Sequence, residues 1–276
     1  MIITKTIIKG RYVEIDPSVE IACNELEIGD CVSILKDVKI RGNKIRIGNY
    51  VRFCPNSEIG GGGGVPNPRS NVTIGNNVLV CAYVLINNAR EVIIGDDVGL
   101  GQYVHIWTHG GWLNTLDGYP CKFAPTKIGS HVWIPERTSV LAGVTIGDHV
   151  IIGNNSLVDK DIPDGCFAAG IPVKILKEGV FPNPLSQKEK DKLLERLVKE
   201  WVDEHPFHIP IAAYLGEGRI RFKALIFDTN TMTISGMLDE EGEDLRDHLR
   251  RNGVKFFTGK PFRSMVYNGE KESIYL

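Results

Sequence analysis

The stretch KIGSHVWIPERTSVLAGVTIGDHVIIGNNSLVDKDIPDGCFAAGIPVKIL, residues 127–176, decides the fold. Within it Ile128, Ile134, Val140, Ile146, Ile152 and Val158 fall six residues apart without a break. Four residues after each stands a small or β-branched residue: Val132, Thr138, Val144, Val150, Ser156 and Ile162. A helix repeats its apolar face every ~3.6 residues and a lone strand every ~2, so a period of six belongs to neither. It fits a short strand and a turn, repeated, with three such sides closing one coil. One coil cannot bury its apolar face alone, so coils stack.

Toward the N-terminus the same spacing returns in triads: Ile28, Ile34, Ile40; Ile47, Phe53, Ile59; Ile74, Val80, Ile86; Ile94, Leu100, Ile106. Extra residues come only between triads: one before Ile47, nine before Ile74, two before Ile94 and sixteen before Ile128. Insertions therefore leave the coil at one corner. A β-sandwich of many short strands predicts no such phase-locking. An earlier coil is expected near Ile15 and Ile21. The period stops after Lys177, and Pro182 and Pro184 mark a linker. Ser186-Gln187-Lys188-Glu189 reads as a capping box opening a helix, with Leu193, Leu194, Leu197, Val198, Trp201 and Val202 on its apolar face. Two β-rich runs are expected, about 219–227 and 231–237, then a helix about 240–251 ending at Gly253, then strands about 254–257 and 262–267. The expected class is mainly β: a parallel β-helix of hexapeptide repeats over residues 1–180 and a small α+β domain over 181–276.

The 32 basic and 34 acidic residues nearly cancel, and no basic stripe or acidic block stands out. Charge therefore points to neither nucleic acid nor a membrane surface. The six cysteines, at 23, 31, 54, 81, 121 and 166, contain no Cys-x-x-Cys pair and suit reduced thiols in cytoplasm. The N-terminus has no apolar core of signal-peptide length, and no run of about 18 apolar residues occurs, so no membrane insertion is expected.

The segment from Ile128-Gly129 to Lys174, closing on Ala169-Gly170-Ile171-Pro172-Val173-Lys174, resembles the hexapeptide acyltransferases: the galactoside, maltose and xenobiotic O-acetyltransferases. The resemblance covers roughly residues 15 to 177. It implies a left-handed β-helix, against the usual crossover rule. It further implies a homotrimer, acetyl-coenzyme A bound as acyl donor in a groove between neighbouring prisms, and one histidine acting as general base on the loop leaving the helix. Carried over residue by residue, that histidine is His109, which opens the sixteen-residue insertion. A sugar hydroxyl is a weak nucleophile at neutral pH, and an imidazole can take its proton as it attacks the thioester. The second ring nitrogen should meet a carbonyl or a carboxylate. A bland alternative for His109 is a solvated loop histidine.

Trp107 and Trp112 flank His109 and are candidates to stack on a sugar or on the pantetheine arm; packing at the corner is the alternative. Asn87 and Asn88 occupy the two-residue insertion one coil earlier, where the sugar acetyltransferases carry acidic residues that hold the acceptor. The resemblance places the cofactor against Ala142-Gly143, Gly153-Asn154, Lys174 and Lys177. Pro135-Glu136 and Asp159 depart from the family pattern there. Gly60 to Gly64 reads either as a flap near the active-site corner or as a linker, and without Gly-Lys-Ser/Thr it is no P-loop. His105 is expected at a small, inward position, and His205 and His208 as loop histidines.

The expected activity is acetyl transfer from acetyl-coenzyme A to a hydroxyl of a sugar or sugar-like acceptor, in the cytoplasm, without a metal. Three alternatives stand beside it. One is N-acylation of a nucleotide-linked amino sugar, and another is a non-catalytic trimeric scaffold. The third is a metal-dependent hydratase holding metal through His105, His109 and His131.

Overall fold

The computed structural model describes residues 1–61, 67–205 and 212–266. Gly62, Gly63 and Gly64 of the glycine run, His208 and the end of the last expected strand at Tyr267 lie outside the described residues. The chain divides into two compact units, Met1–Pro182 and Asn183–Leu276.

The first unit is a stack of three-sided coils. Its strands are two to four residues long, apart from Ile2–Lys9 and Glu20–Ile28, and nearly all bond in parallel to the coils above and below. The residues six apart stack in register, as their spacing predicts. One side carries Ile28, Ile47, Ile74, Ile94, Ile128 and Ile146. The second carries Ile15, Ile34, Phe53, Val80, Leu100 and Ile134. The third carries Ile21, Ile40, Ile59, Ile86, Ile106, Val140 and Val158. All but Ile15 are buried, and they form one continuous apolar core with Val19, Val32, Val51 and their counterparts. Each fully buried aliphatic side chain contributes about 1.5–3 kcal/mol.

The recurring Ile-Gly-Asp/Asn/Ser has a physical reason. The glycines stack, so a Cβ on Gly75 would lie 2.7 Å from the carbonyl carbon of Gly95, and one on Gly95 equally close to Gly129. The next side chain takes up the backbone N–H of its counterpart one coil below. Thus Asp30, Asn49, Asn76, Asp96, Ser130 and Asp148 each donate an N–H to the side-chain oxygen of Asn49, Asn76, Asp96, Ser130, Asp148 and Asp164 in turn. This corner ladder satisfies donors that the short strands cannot reach.

The first coil is extended by the strand Ile2–Lys9, unforeseen from the sequence, which pairs in parallel with Glu20–Ile28. Among the described residues the excursions leave between the third side and the first, after Gly60, after Asn87 and after Ile106.

In the second unit helix α1 spans Gln187–Glu204, with the expected capping box between Ser186 and Glu189, and helix α2 spans Glu240–Arg251. The expected run 219–227 is two strands, Arg219–Phe222 and Leu225–Asp228, because Lys223 turns the chain at φ 51°. With Ala212–Gly216 and Thr233–Ser235 they make a four-stranded antiparallel sheet. No strand forms at 254–257 or over the described part of the last expected strand, 262–266. Arg246, fully buried, donates to the carbonyls of Phe256, Lys260 and Pro261 and pairs with Glu243 at 2.7 Å, so these carbonyls serve a guanidinium instead of a ladder.

Asp148→Ala removes the acceptor of the Ser130 N–H, 2.6 Å away. It should lower unfolding stability by about 1 kcal/mol, read as a fall in the urea midpoint at unchanged slope. Asp148→Asn keeps an oxygen there and should lose less.

Candidate functional site

The corner where the excursions leave gathers the candidate chemistry. The strand His105–Ile106 ends the third side, and the chain then rises into the longest excursion. Its base is a short antiparallel pair, His109–Gly110 against Lys122–Phe123, which sets His109 opposite Phe123. The outer part turns through a single 3-10 turn, Thr115–Asp117, and every residue from Gly110 to Phe123 is exposed.

His109 is held by the coil below. Its Nδ1–H donates to Oδ1 of Asn87 at 2.9 Å. The same oxygen accepts from the Thr108 hydroxyl at 2.9 Å and the Thr108 N–H at 3.4 Å. Asn87 is fully buried, so its amide cannot turn toward water. An amide oxygen only accepts, which assigns the ring proton to Nδ1 and leaves the lone pair on Nε2. Nδ2 of Asn87, also buried, has no partner among the described residues. Gly61 approaches it closely: a Cβ there would lie 3.8 Å away. The described start of the glycine run thus reaches this corner.

The imidazole stacks on Phe123, with centroids 5.3 Å apart and planes at 20°. Trp107 meets it edge-on at 6.4 Å. Over the Phe123 ring, 4.6 Å from its centroid, lies the guanidinium of Arg90. The Arg90 N–H is bound by the Thr108 hydroxyl at 3.0 Å. Thr108, Phe123 and Arg90 were not singled out from the sequence. Arg90 stands two residues after Asn88, the one local signal; Phe123 could be found only through the hairpin register.

The other candidates divide. Asn88 is buried and turned away, its amide donating to the carbonyls of Arg41 at 2.8 Å and Ser70 at 3.5 Å, so it braces the coils. Trp112 is 95% exposed. Ala142 and Gly143 lie at the His109 corner: a Cβ on Gly143 would meet Ala124 and Lys122, both from the returning excursion, at 3.0 Å. Gly153 and Asn154 belong to the corner between the second and third sides. The Gly153 N–H donates to Ala168 and its carbonyl accepts from the Ser156 hydroxyl at 2.7 Å. Asn154 donates to Glu136 at 3.0 Å, so two residues of that corner pair with each other. Lys174 and Lys177 are exposed on the strand Lys174–Lys177, antiparallel to Phe167–Ala169. Within one chain none of these last four reaches His109's corner.

His105 departs from its expected inward position. Val104 points inward and fully buried, while His105 is half-buried on the outer surface, edge-on to Trp107. His131 stacks on His149 at 4.6 Å, at another corner. Among the described residues no group of three or more His, Cys, Asp or Glu side chains could hold a metal, and no helix is long and apolar enough to cross a membrane.

Known proteins give the same fold an acyltransferase setting. The family described as bacterial transferase hexapeptide (six repeats) matches residues 125–160. The galactoside O-acetyltransferase of Escherichia coli K12 is 36% identical over 112 residues, 40% of this chain and 55% of that protein. A probable acetyltransferase of Mycobacterium tuberculosis is 30% identical over 173 residues, 61% of this chain and 48% of that one. The chain thus spans about half the length of these curated relatives. Among solved structures, the polySia-specific acetyltransferase NeuO superposes with a TM-score of 0.50 at 24% identity, over 72% of this chain and 88% of that one, a likeness of fold.

Asn87→Ala deletes the oxygen that receives the His109 ring proton. Long-range proton–nitrogen spectra should show one ring-proton form in the parent and a mixture of Nδ1–H and Nε2–H forms in the variant. Loss of the buried amide's bonds should also cost about 1–3 kcal/mol of stability.

Proposed function

We propose that this chain, whose residues 125–160 match the bacterial transferase hexapeptide family, transfers an acyl group from acetyl-coenzyme A to a hydroxyl of a sugar-like acceptor, with His109 as general base. The observation that carries the reading is the bond from His109 Nδ1–H to buried Asn87, which leaves Nε2 as an oriented proton acceptor at the insertion corner. As the acceptor oxygen bonds to the thioester carbonyl carbon, its proton passes to Nε2. The carbon–sulfur bond then breaks, and the imidazolium returns the proton to the departing thiolate. The rising charge on His109 is met by the carbonyl dipole of Asn87, and the Phe123 face covers one side of the ring.

The donor would run from the Ala142-Gly143 corner. Gly153, Asn154, Lys174 and Lys177 would come from a neighbouring copy in a homotrimer, where a lysine can meet a phosphate as a point charge. The exposed excursion supports an assembled site, since Trp112 and Leu116 are 95% and 93% exposed in the single chain. The substrate-facing aromatic residue would be Trp107.

Thiol release from acetyl-coenzyme A, followed with a panel of sugars and nucleotide-linked amino sugars, tests the reading. Acceptor-dependent release should fall by about 10²-fold or more in His109→Ala. Release that survives the substitution and prefers amines would replace the base-assisted reaction by N-acylation. No release and no coenzyme A binding would leave a scaffold.

A further inference from the structure

The Arg90 guanidinium is held by two contacts, and neither is to a carboxylate. It is half-buried, its Nη1 donates to the Ala89 carbonyl at 2.8 Å, and its Cζ sits over Phe123. Among the described residues no Asp or Glu lies within ion-pair distance of it. Basic residues at the same corner two coils away are treated differently: Arg41 pairs with Glu20 at 3.3 Å, Lys44 with Glu25 at 2.9 Å and Arg46 with Glu27 at 3.0 Å. A guanidinium has five N–H donors, and among the described residues this one leaves most of them open.

Position narrows what those donors meet. Arg90 stands one aromatic ring from the imidazole, with Phe123 touching both groups. A thioester poised for attack beside His109 keeps the phosphates of its coenzyme far away, because the whole pantetheine arm lies between. The group free to carry an anion this close to the reacting hydroxyl is the acceptor itself. The local field suits it, since Asn87 and Asn88 bring no negative charge to the corner. A planar guanidinium presents a fork that matches a carboxylate, and this one is held 4.6 Å from the Phe123 centroid.

Resting on the acyltransferase reading, we infer that the acceptor is a sugar acid, its carboxylate gripped by Arg90 while its hydroxyl faces Nε2 of His109. Arg90 is a specificity residue and takes no proton.

The test uses a matched pair of acceptors, a hexuronic acid glycoside and its methyl ester, with acetyl-coenzyme A and the full-length protein. The parent should prefer the acid by about 10- to 100-fold in kcat/KM, the worth of a charge-assisted bond. In Arg90→Gln the preference should vanish, chiefly through KM for the acid, while KM for acetyl-coenzyme A stays put; Arg90→Lys should restore part of it. Equal use of acid and ester by the parent would overturn the inference and leave the acyltransferase reading intact. So would an Arg90→Gln loss shared equally by both acceptors, or one confined to the KM of acetyl-coenzyme A, which would give Arg90 to a phosphate. If no acceptor releases thiol, the acyltransferase reading fails, and saturation-transfer NMR of the same pair decides the site. Acid binding that disappears in Arg90→Gln upholds a carboxylate site, and acid and ester signals that match in parent and variant dismiss it.

Discussion

A strand of two or three residues cannot satisfy its own backbone, so every coil of this protein depends on the coil above and the coil below. The N–H of Trp107 goes to Val140, that of Gly101 to Ile134 and that of Leu85 to Val104, each one coil away. This demand forces the parallel register, and the register in turn stacks Ile59, Ile86, Ile106 and Val140 in one column. Nothing can be inserted along a side without unpairing two coils at once. Insertions survive only where the ladder is already interrupted.

The candidate site follows from that restriction. Because these excursions exit between the third side and the first, the residues on successive excursions stack as the strands do. Asn87 and His109 are far apart in sequence and adjacent in space because their coils are neighbours. The stack makes the contact rigid: Asn87 is buried, and its oxygen is bound by Thr108 through both hydroxyl and N–H. A histidine on a flexible tip would lose rotational entropy whenever it was brought to one orientation. This one is oriented beforehand by a coil whose position the core has already set.

The second unit is built by other means. Its sheet is antiparallel, its two helices are capped by Ser186 and Asp239, and Trp201, Phe222, Phe227 and Phe256 fill the core. One buried cation, Arg246, organises its C-terminal segment by taking up carbonyls that would otherwise seek a strand partner. The burial of Glu243 raises its carboxyl pKa despite the adjacent Arg246. This pair is shielded enough for desolvation to outweigh attraction.

The period of six, the triads between insertions and the Ile-Gly steps are local facts, and together they determined a stacked parallel β-helix without further information. Capping boxes are local as well, and Ser186 with Glu189 marked helix α1 correctly. His109 was legible as a candidate because its place at the start of the longest insertion is a property of chain order. The groups that the structure sets around it were not legible. Asn87 as the acceptor of its proton, Phe123 against its ring and Arg90 over that ring depend on which side chains meet across coils and across a hairpin, and no spacing rule encodes that. The same holds where expectation and structure part. Asn88 turns inward to brace Arg41 and Ser70, and His105 stays outside while Val104 fills the core. Periodicity assigns residues to sides of a coil, but only packing decides which way a polar side chain at a corner must turn to find its hydrogen bonds.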